Sequence, residues 1–277
     1  KEVLHIVKEI SQIIGFETLT NLLLSKLRHF EEILIHLPEY RHHFIHQFNV
    51  FLLGLVIMIN DNSFTKIVRN KTEKHCFIKE WFLISIFHDI GLPIEKLQDA
   101  FRMFIKESMH LENPVKQHLT SFSIIDIYDY FIIYPQIENC VKYVFGEDIS
   151  KEVLRVIHQF AHPIPGDITN HNHSLISACI IAKHLDANAE CLYLRPRVLS
   201  SILLHEPKLI NSIYYKRMAE LRRKNTSKTD PELNQLIDRR NKISLNDQPM
   251  CFLLSLCDTI QNWARPESSE SLSYLDR

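Results

Sequence analysis

The run Trp81-Phe82-Leu83-Ile84-Ser85-Ile86-Phe87 carries an apolar or small side chain at every step and then meets His88-Asp89-Ile90-Gly91. Such a run has no polar stripe to turn toward water. As a helix it is buried on all sides, and the chain must wrap other elements around it. That helix ends in an imidazole and a carboxylate, two groups that are costly to bury without a compensating partner. A divalent cation would compensate both, so the rest of the sequence has to be searched for further ligands.

Helical periodicity recurs along the chain. Residues 1–14 place Val3, Ile6, Val7, Ile10 and Ile14 on one face, and Gly15 is a natural stop. Further helices are expected at 17–36, before Pro38; at 39–59, closed by the turn cluster Asn60-Asp61-Asn62-Ser63; at 72–87; and from Pro93 to about residue 109. The pattern resumes at 149–161, 174–185, 197–205, 207–224 and 249–264. Residues 123–134 fit a helix or a short strand pair, and Pro163-Ile164-Pro165-Gly166-Asp167 reads as a loop. Residues 222–230 read as a charged surface loop. Only 5 glycines in 277 residues argue against sandwiches, Rossmann units and Gly-rich phosphate loops. With no internal repeat and no low-complexity linker, the expectation is one all-α domain over 1–277. Its N-terminal helices cover about 1–38, an elaboration covers about 95–165, and a polar tail covers 266–277.

Charge and cysteine usage narrow the partners. Lys+Arg at 32 against Asp+Glu at 33 gives no global reason to expect nucleic acid or a membrane surface. The longest apolar run, Val50 to Ile59, is too short to span a bilayer and fits a core helix. Six cysteines include no Cys-x-x-Cys pair, and Cys76, Cys179, Cys251 and Cys257 sit in apolar helical patterns as small hydrophobes. A reducing, cytoplasmic location is expected. No secretory leader is visible, and a start at Lys1 suggests that an upstream segment has been trimmed.

Other polar residues interrupt apolar helices in the same way as His88-Asp89. His46 lies in Phe44-Ile45-His46-Gln47-Phe48, His173 opens the run Ser174 to Ala178, and His205 closes the run Val198 to Leu204. Asp258 is the one charged residue between Pro249 and Ala264. Taken singly, a buried His is more often a hydrogen-bonded core residue than a ligand, and a lone Asp more often caps a helix or pairs with an Arg. Jointly, five helices each present a His or Asp at a break in an apolar run. Four histidines and two carboxylates can hold two first-row divalent ions with Asp89 bridging them, about 3.5–4 Å apart in a two-metal hydrolytic site.

The order His46, His88-Asp89, Asp258 resembles the HD superfamily of metal-dependent phosphohydrolases, over about residues 40–266. The resemblance rests on His46-x-x-x-Val50, on Phe87-His88-Asp89-Ile90-Gly91 and on Leu254-x-x-x-Asp258-x-x-x-Asn262-Trp263. It implies an HD-like helical bundle with a central metal site. His46, His88, Asp89 and Asp258 would hold the first ion, and His173 and His205, with Asp89 shared, the second. His171 and Glu206 stand beside those two histidines. The implied activity is hydrolysis of a phosphomonoester or phosphodiester, most reasonably a nucleotide, by a metal-activated hydroxide. Two divalent ions are expected, drawn from Mn, Fe, Co, Ni, Mg and Zn. Two departures matter. Leu92 stands where many members carry Lys or His, and Ile133-Tyr134-Pro135 lacks the Gly of the Gly-Tyr-Pro branch that acts on cyclic dinucleotides. That last activity is not assigned.

Asp89, Lys96 and Arg41 are the catalytic candidates, the two cations for phosphate or leaving-group charge; Lys208 and Arg265 are further cationic candidates. Each of these cations is more often a solvated side chain. His158 and His162, four apart, have metal-binding spacing, but no Glu follows His158, and a surface or pocket pair is the commoner outcome. Tyr128, Tyr130, Phe131 and Trp263 are available to stack on a base, or simply to pack in a core. The expected partner is a small phosphate ester or nucleotide, with a homo-oligomer or an attached effector domain possible. Two rival functions stay open. The same ligand order is similar to that of the di-iron oxygenase branch of the superfamily. From another class, a nucleotide-sensing module with a vestigial site is opposed by the filling of all six ligand positions.

Overall fold

The computed structural model describes residues 2–34, 43–67, 71–97, 100, 104, 130–145, 154, 173–186, 195–206, 243 and 245–263. Within these the architecture is all-α: helices and their connections, with no strand among the described residues. The helix ends near 36 and 109, the stretch 113–129, the loop 163–167 and the elements expected over 207–224 and 222–230 lie outside them. So do Arg41, His158, His162, His171, Lys208 and Arg265, and of 149–161 only Leu154, helical and buried, is described.

The N-terminal hairpin follows from its sequence. Helix α1 (Glu2–Ile14) buries Val7, Ser11 and Ile14, one face at helical spacing. Gly15, at φ 84°, ends it. The Phe16 amide bonds back to the Ser11 carbonyl at 2.8 Å and the Gly15 amide to that of Gln12 at 3.2 Å, which is the Schellman pattern of a glycine-terminated helix. Helix α2 (Glu17–Leu34) then returns against α1.

Helix α3 (His43–Asn60) packs on α1 and on the central helix α5 (Lys71–Phe87). Between them is the short α4 (Asn62–Ile67). The expected four-residue turn is thus reduced to one residue, Asp61. Its amide bonds to Ile57 at 2.8 Å, and Asn60 Nδ2 donates to the Val56 carbonyl at 2.8 Å. These polar groups satisfy the end of α3 and leave Asn62 and Ser63 to start α4. By length and composition α3 is the one helix among the described residues that could cross a bilayer, yet it packs on α5 and carries the buried His46.

Every residue from Glu80 to Gly91 is buried, so the apolar run is wrapped on all sides as its composition requires. Helix α6 (Tyr130–Phe145) accommodates Pro135 and resolves the end of the ambiguous stretch as helix. Helices α7 (His173–Asp186), α8 (Arg195–Leu203) and α9 (Pro249–Trp263) complete the bundle. The central α5 touches α3, α8 and α9; α7 lies on α8 and α6. At the α3–α5 crossing a Cβ on Gly54 would lie 2.1 Å from Trp81 Cζ2, while the Trp81 indole N–H donates to the Phe51 carbonyl at 3.0 Å. This close approach sets α3, with His46, against the end of α5.

One carboxylate inside the bundle has a testable consequence. Glu80, fully buried on α5, pairs with Arg197 of α8 at 2.9 Å. Burial pushes its pKa from 4.5 up to about 7, against the pull of Arg197. A raised acid pKa means that the folded state keeps a proton the unfolded chain releases. Its stabilising contribution is therefore complete below the unfolded pKa and falls as pH rises toward the folded one. Over about pH 4.5–7 that loss is on the order of 3 kcal/mol. Glu80→Gln lacks this slope, so its advantage in melting temperature over the natural chain is expected to grow from about pH 5 to about pH 7.5. Parallel pH dependence of the two melting curves would refute it.

Candidate metal centre

Five structural positions converge below the end of α5. His46 comes from α3, His88 and Asp89 from the turn after α5, His173 from the first residue of α7, His205 from the segment just past α8, and Asp258 from α9. His46, His88, Asp89 and His205 are buried, and the side chains of His173 and Asp258 are 12% and 22% exposed. Among the described residues, two groups could hold a metal ion: His46, His88 and Asp89 form one, and Asp89, His173 and His205 form the other.

Asp89 belongs to both, through different oxygens. Its Oδ2 lies 3.4 Å from His88 Nε2 and 3.8 Å from His46 Nε2. Its Oδ1 lies 3.4 Å from His205 Nε2 and 3.6 Å from His173 Nε2. Asp258 Oδ1 joins the first group, 2.9 Å from His46 Nε2 and 3.8 Å from His88 Nε2. Across the second group the two imidazole Nε2 atoms of His173 and His205 face each other at 3.3 Å. Most of these separations are long for charge-assisted hydrogen bonds. They match the edges of a coordination shell instead: with bonds of about 2.1 Å, neighbouring donors stand about 3.0 Å apart in an octahedron and about 3.4 Å in a tetrahedron.

The tautomers point the same way. His88 Nδ1 lies 2.9 Å from the Ser85 carbonyl, and His205 Nδ1 lies against the Ile202 carbonyl. A carbonyl only accepts, so both Nδ1 atoms carry a hydrogen, and in the neutral ring both Nε2 atoms turn a lone pair inward. His173 Nδ1 is placed likewise, 3.1 Å from Glu95 Oε2, which also accepts the His173 backbone N–H at 3.0 Å. A carboxylate behind a histidine is the common arrangement for fixing a metal ligand. His88 Nε2 is buried and has no hydrogen-bond partner among the described residues, which is costly unless a cation takes the lone pair.

Local sequence explains these placements. The chain leaves α5 through a turn over 88–91, and residues 92–97 are helical again, started by Pro93 and by the Ile94 amide bonded to the Gly91 carbonyl at 3.1 Å. Gly91 allows the turn to lie directly on the start of α7, with its amide donating to Ser177 Oγ at 2.9 Å. Lys96, in the same helical turn, is half-buried and makes no ion pair among the described residues. Its neighbour Glu95 is the residue that reaches the cluster, through His173. Glu206 also enters, with Oε2 3.4 Å from His173 Nε2. Glu95 went unselected in the sequence because nothing marks a single Glu in an amphipathic helix. Its signal is its place one helical turn beyond Gly91, which follows the His-Asp pair.

No protein-family model, no curated protein and no solved structure matches this chain. The chemistry of the centre rests on its own geometry.

That geometry sets the charge states. Burial opposes charge on His173, but the Glu95 hydrogen bond and the carboxylates of Asp89, Glu95 and Glu206 push its pKa up to about 9. Burial likewise opposes charge on His88, and Asp89 with Asp258 raises it nonetheless. Burial would raise Asp89, but His88, His205 and His173 hold it well below the usual carboxylate range. Asp258 is held low against burial by His46 and His88. A cation entering at neutral pH must therefore displace the His173 proton. Mn²⁺ affinity of chelated protein is expected to rise about tenfold per pH unit between about pH 7 and pH 9. Titration calorimetry in buffers of different ionisation enthalpy reads the released proton; an affinity flat across that range would exclude His173 from the binding site.

Proposed function

We propose that this chain is a metal-dependent phosphohydrolase of the HD type, holding two divalent ions and acting on a phosphomonoester or phosphodiester of the nucleotide class. One observation carries the reading: the two oxygens of Asp89 face different histidine pairs. A single-ion site needs only one of those oxygens. His46, His88 and Asp258 would hold one ion, His173 and His205 the other, and Asp89 both. Two such ions would supply a nucleophile at neutral pH and neutralise charge on a phosphoryl group.

The chain's own residues then have defined tasks. Glu95 and the Ser85 and Ile202 carbonyls hold three imidazoles in the tautomer that presents Nε2 inward. The buried wall from Trp81 to Phe87 excludes water from one side and lowers the local dielectric, which strengthens each charge interaction. Arg41 and Lys96 remain the proposed cations for the phosphate. The buried thiols suit a reducing, cytosolic setting: burial pushes Cys179 and Cys251 up to about 12, so they persist as inert thiols.

The test couples elemental analysis of the purified protein to phosphate release from a panel of nucleotides and phosphodiesters, with oxygen uptake measured in parallel. Two metal equivalents and phosphate release are expected. Iron with substrate-dependent oxygen consumption and no phosphate release would replace this reading by oxygenation.

A further inference from the structure

The two halves of the centre differ in one respect. The first has two imidazoles, Asp89 Oδ2 and a carboxylate of its own, Asp258. The second, as drawn from the histidines alone, has two imidazoles and only the shared Asp89 Oδ1. Glu206 stands where the missing carboxylate belongs. It follows His205 directly, beyond the last turn of α8, so the non-helical backbone there turns both side chains toward α7. Its side chain is 13% exposed, and Oε2 lies 3.4 Å from His173 Nε2. That separation equals the 3.4 Å between His205 Nε2 and Asp89 Oδ1 in the same half.

The contact is poorly explained as a hydrogen bond. His173 gives its Nδ1 hydrogen to Glu95, so a neutral ring turns the Nε2 lone pair toward Glu206 Oε2, and the two lone pairs repel. A doubly protonated ring would draw the carboxylate to about 2.7–2.9 Å, well inside the observed distance. An ion between them accounts for both the approach and the length. We propose that Glu206 is a ligand of the second ion, so that each ion is held by two imidazoles, one carboxylate of its own and one oxygen of Asp89. This rests on the two-ion reading above and sharpens it: the two sites are chemically matched and fill with similar affinity.

The experiment is Mn²⁺ titration of chelated protein, followed by calorimetry and by electron paramagnetic resonance, which separates lone Mn²⁺ from a spin-coupled pair. The natural chain is expected to bind two equivalents with constants within about tenfold of each other, and to give the coupled signal. Glu206→Gln should weaken the second equivalent by more than the roughly 10–100-fold typical of an outer partner, leaving a lone-ion signal. Glu95→Gln, an outer partner, should fall inside that range and keep the coupled pair at saturating metal. Should Glu206→Gln fail to fold by circular dichroism, Glu206→Asp reads the same constant with the charge kept, and a weakened second ion supports the assignment. An unchanged second constant in either variant overturns Glu206 as a ligand and leaves the two-ion reading standing. A natural chain that binds fewer than two equivalents overturns both.

Discussion

Asp89→Ala is expected to empty both halves of the centre at once. Among the described residues, Asp89 is the one that faces both histidine pairs, Oδ2 toward His46 and His88 and Oδ1 toward His173 and His205. On the two-ion reading, its removal would take a ligand from each ion and leave the two charges without the shared anion between them. Each affinity should fall by more than the roughly 100-fold upper end seen for outer partners, and hydrolysis should fall below detection. The fold should survive, because α5 is held by the buried run Trp81 to Phe87, which Asp89 follows. In chelated protein the same change removes the anion that helps keep His88 and His173 charged, so both should titrate lower. Elemental analysis after gel filtration, beside far-ultraviolet circular dichroism, reads both outcomes. Asp258→Asn is the contrast, since Asp258 contacts His46 and His88 of the first group and should cost one ion. Loss of only one ion in Asp89→Ala would mean that Asp89 does not bridge.

The residues that could be read in advance are those whose burial conflicts with their polarity. His46, His88, Asp89, His205 and Asp258 each break an apolar run, and burying such a group without a partner is expensive enough to be visible in one sequence. The structure brings all of them, with His173, into one cluster. Helix existence was legible for the same reason, from apolar spacing and from stops such as Gly15. Turn chemistry was less so: Asn60 to Ser63 reads as four turn residues, but side chains and amides that satisfy a helix end can also start the next helix. Glu95 and Glu206 escaped selection as contributors because an isolated Glu near a helix end is ordinary composition. Their significance comes from tertiary distance to His173, over 78 positions for Glu95, and no local pattern encodes that. The cation expected after Gly91 is absent from the sequence, and Lys96 does not replace it by pairing within the cluster.

Gly91→Ala is expected to do more harm than any other single-methyl addition in the centre. A Cβ there would lie 2.5 Å from the His173 carbonyl oxygen, 2.8 Å from Ile176 Cβ and 2.8 Å from the Ser177 amide nitrogen. Two of these are backbone atoms at the start of α7, which cannot rotate away as a side-chain tip can. The helix must move, or the turn over 88–91 must. Either shift separates His173 from Asp89 Oδ1, now 3.6 Å away, and stretches the Gly91 amide bond to Ser177 Oγ. Overpacking of this kind costs about 1–3 kcal/mol, a fall of roughly 2–5 °C in melting temperature for a chain of this size. The damage should be one-sided. His46 and Asp258 come from α3 and α9, and the three atoms the new methyl meets first all belong to α7, so one equivalent of Mn²⁺ should still bind while the second weakens. Ser177→Ala separates the two causes: it deletes the hydroxyl bond without a clash and should cost about 1 kcal/mol with both ions retained. A Gly91→Ala protein with two equivalents of metal and an unshifted melting curve would show that α7 is not held in place by its contact with the His-Asp turn.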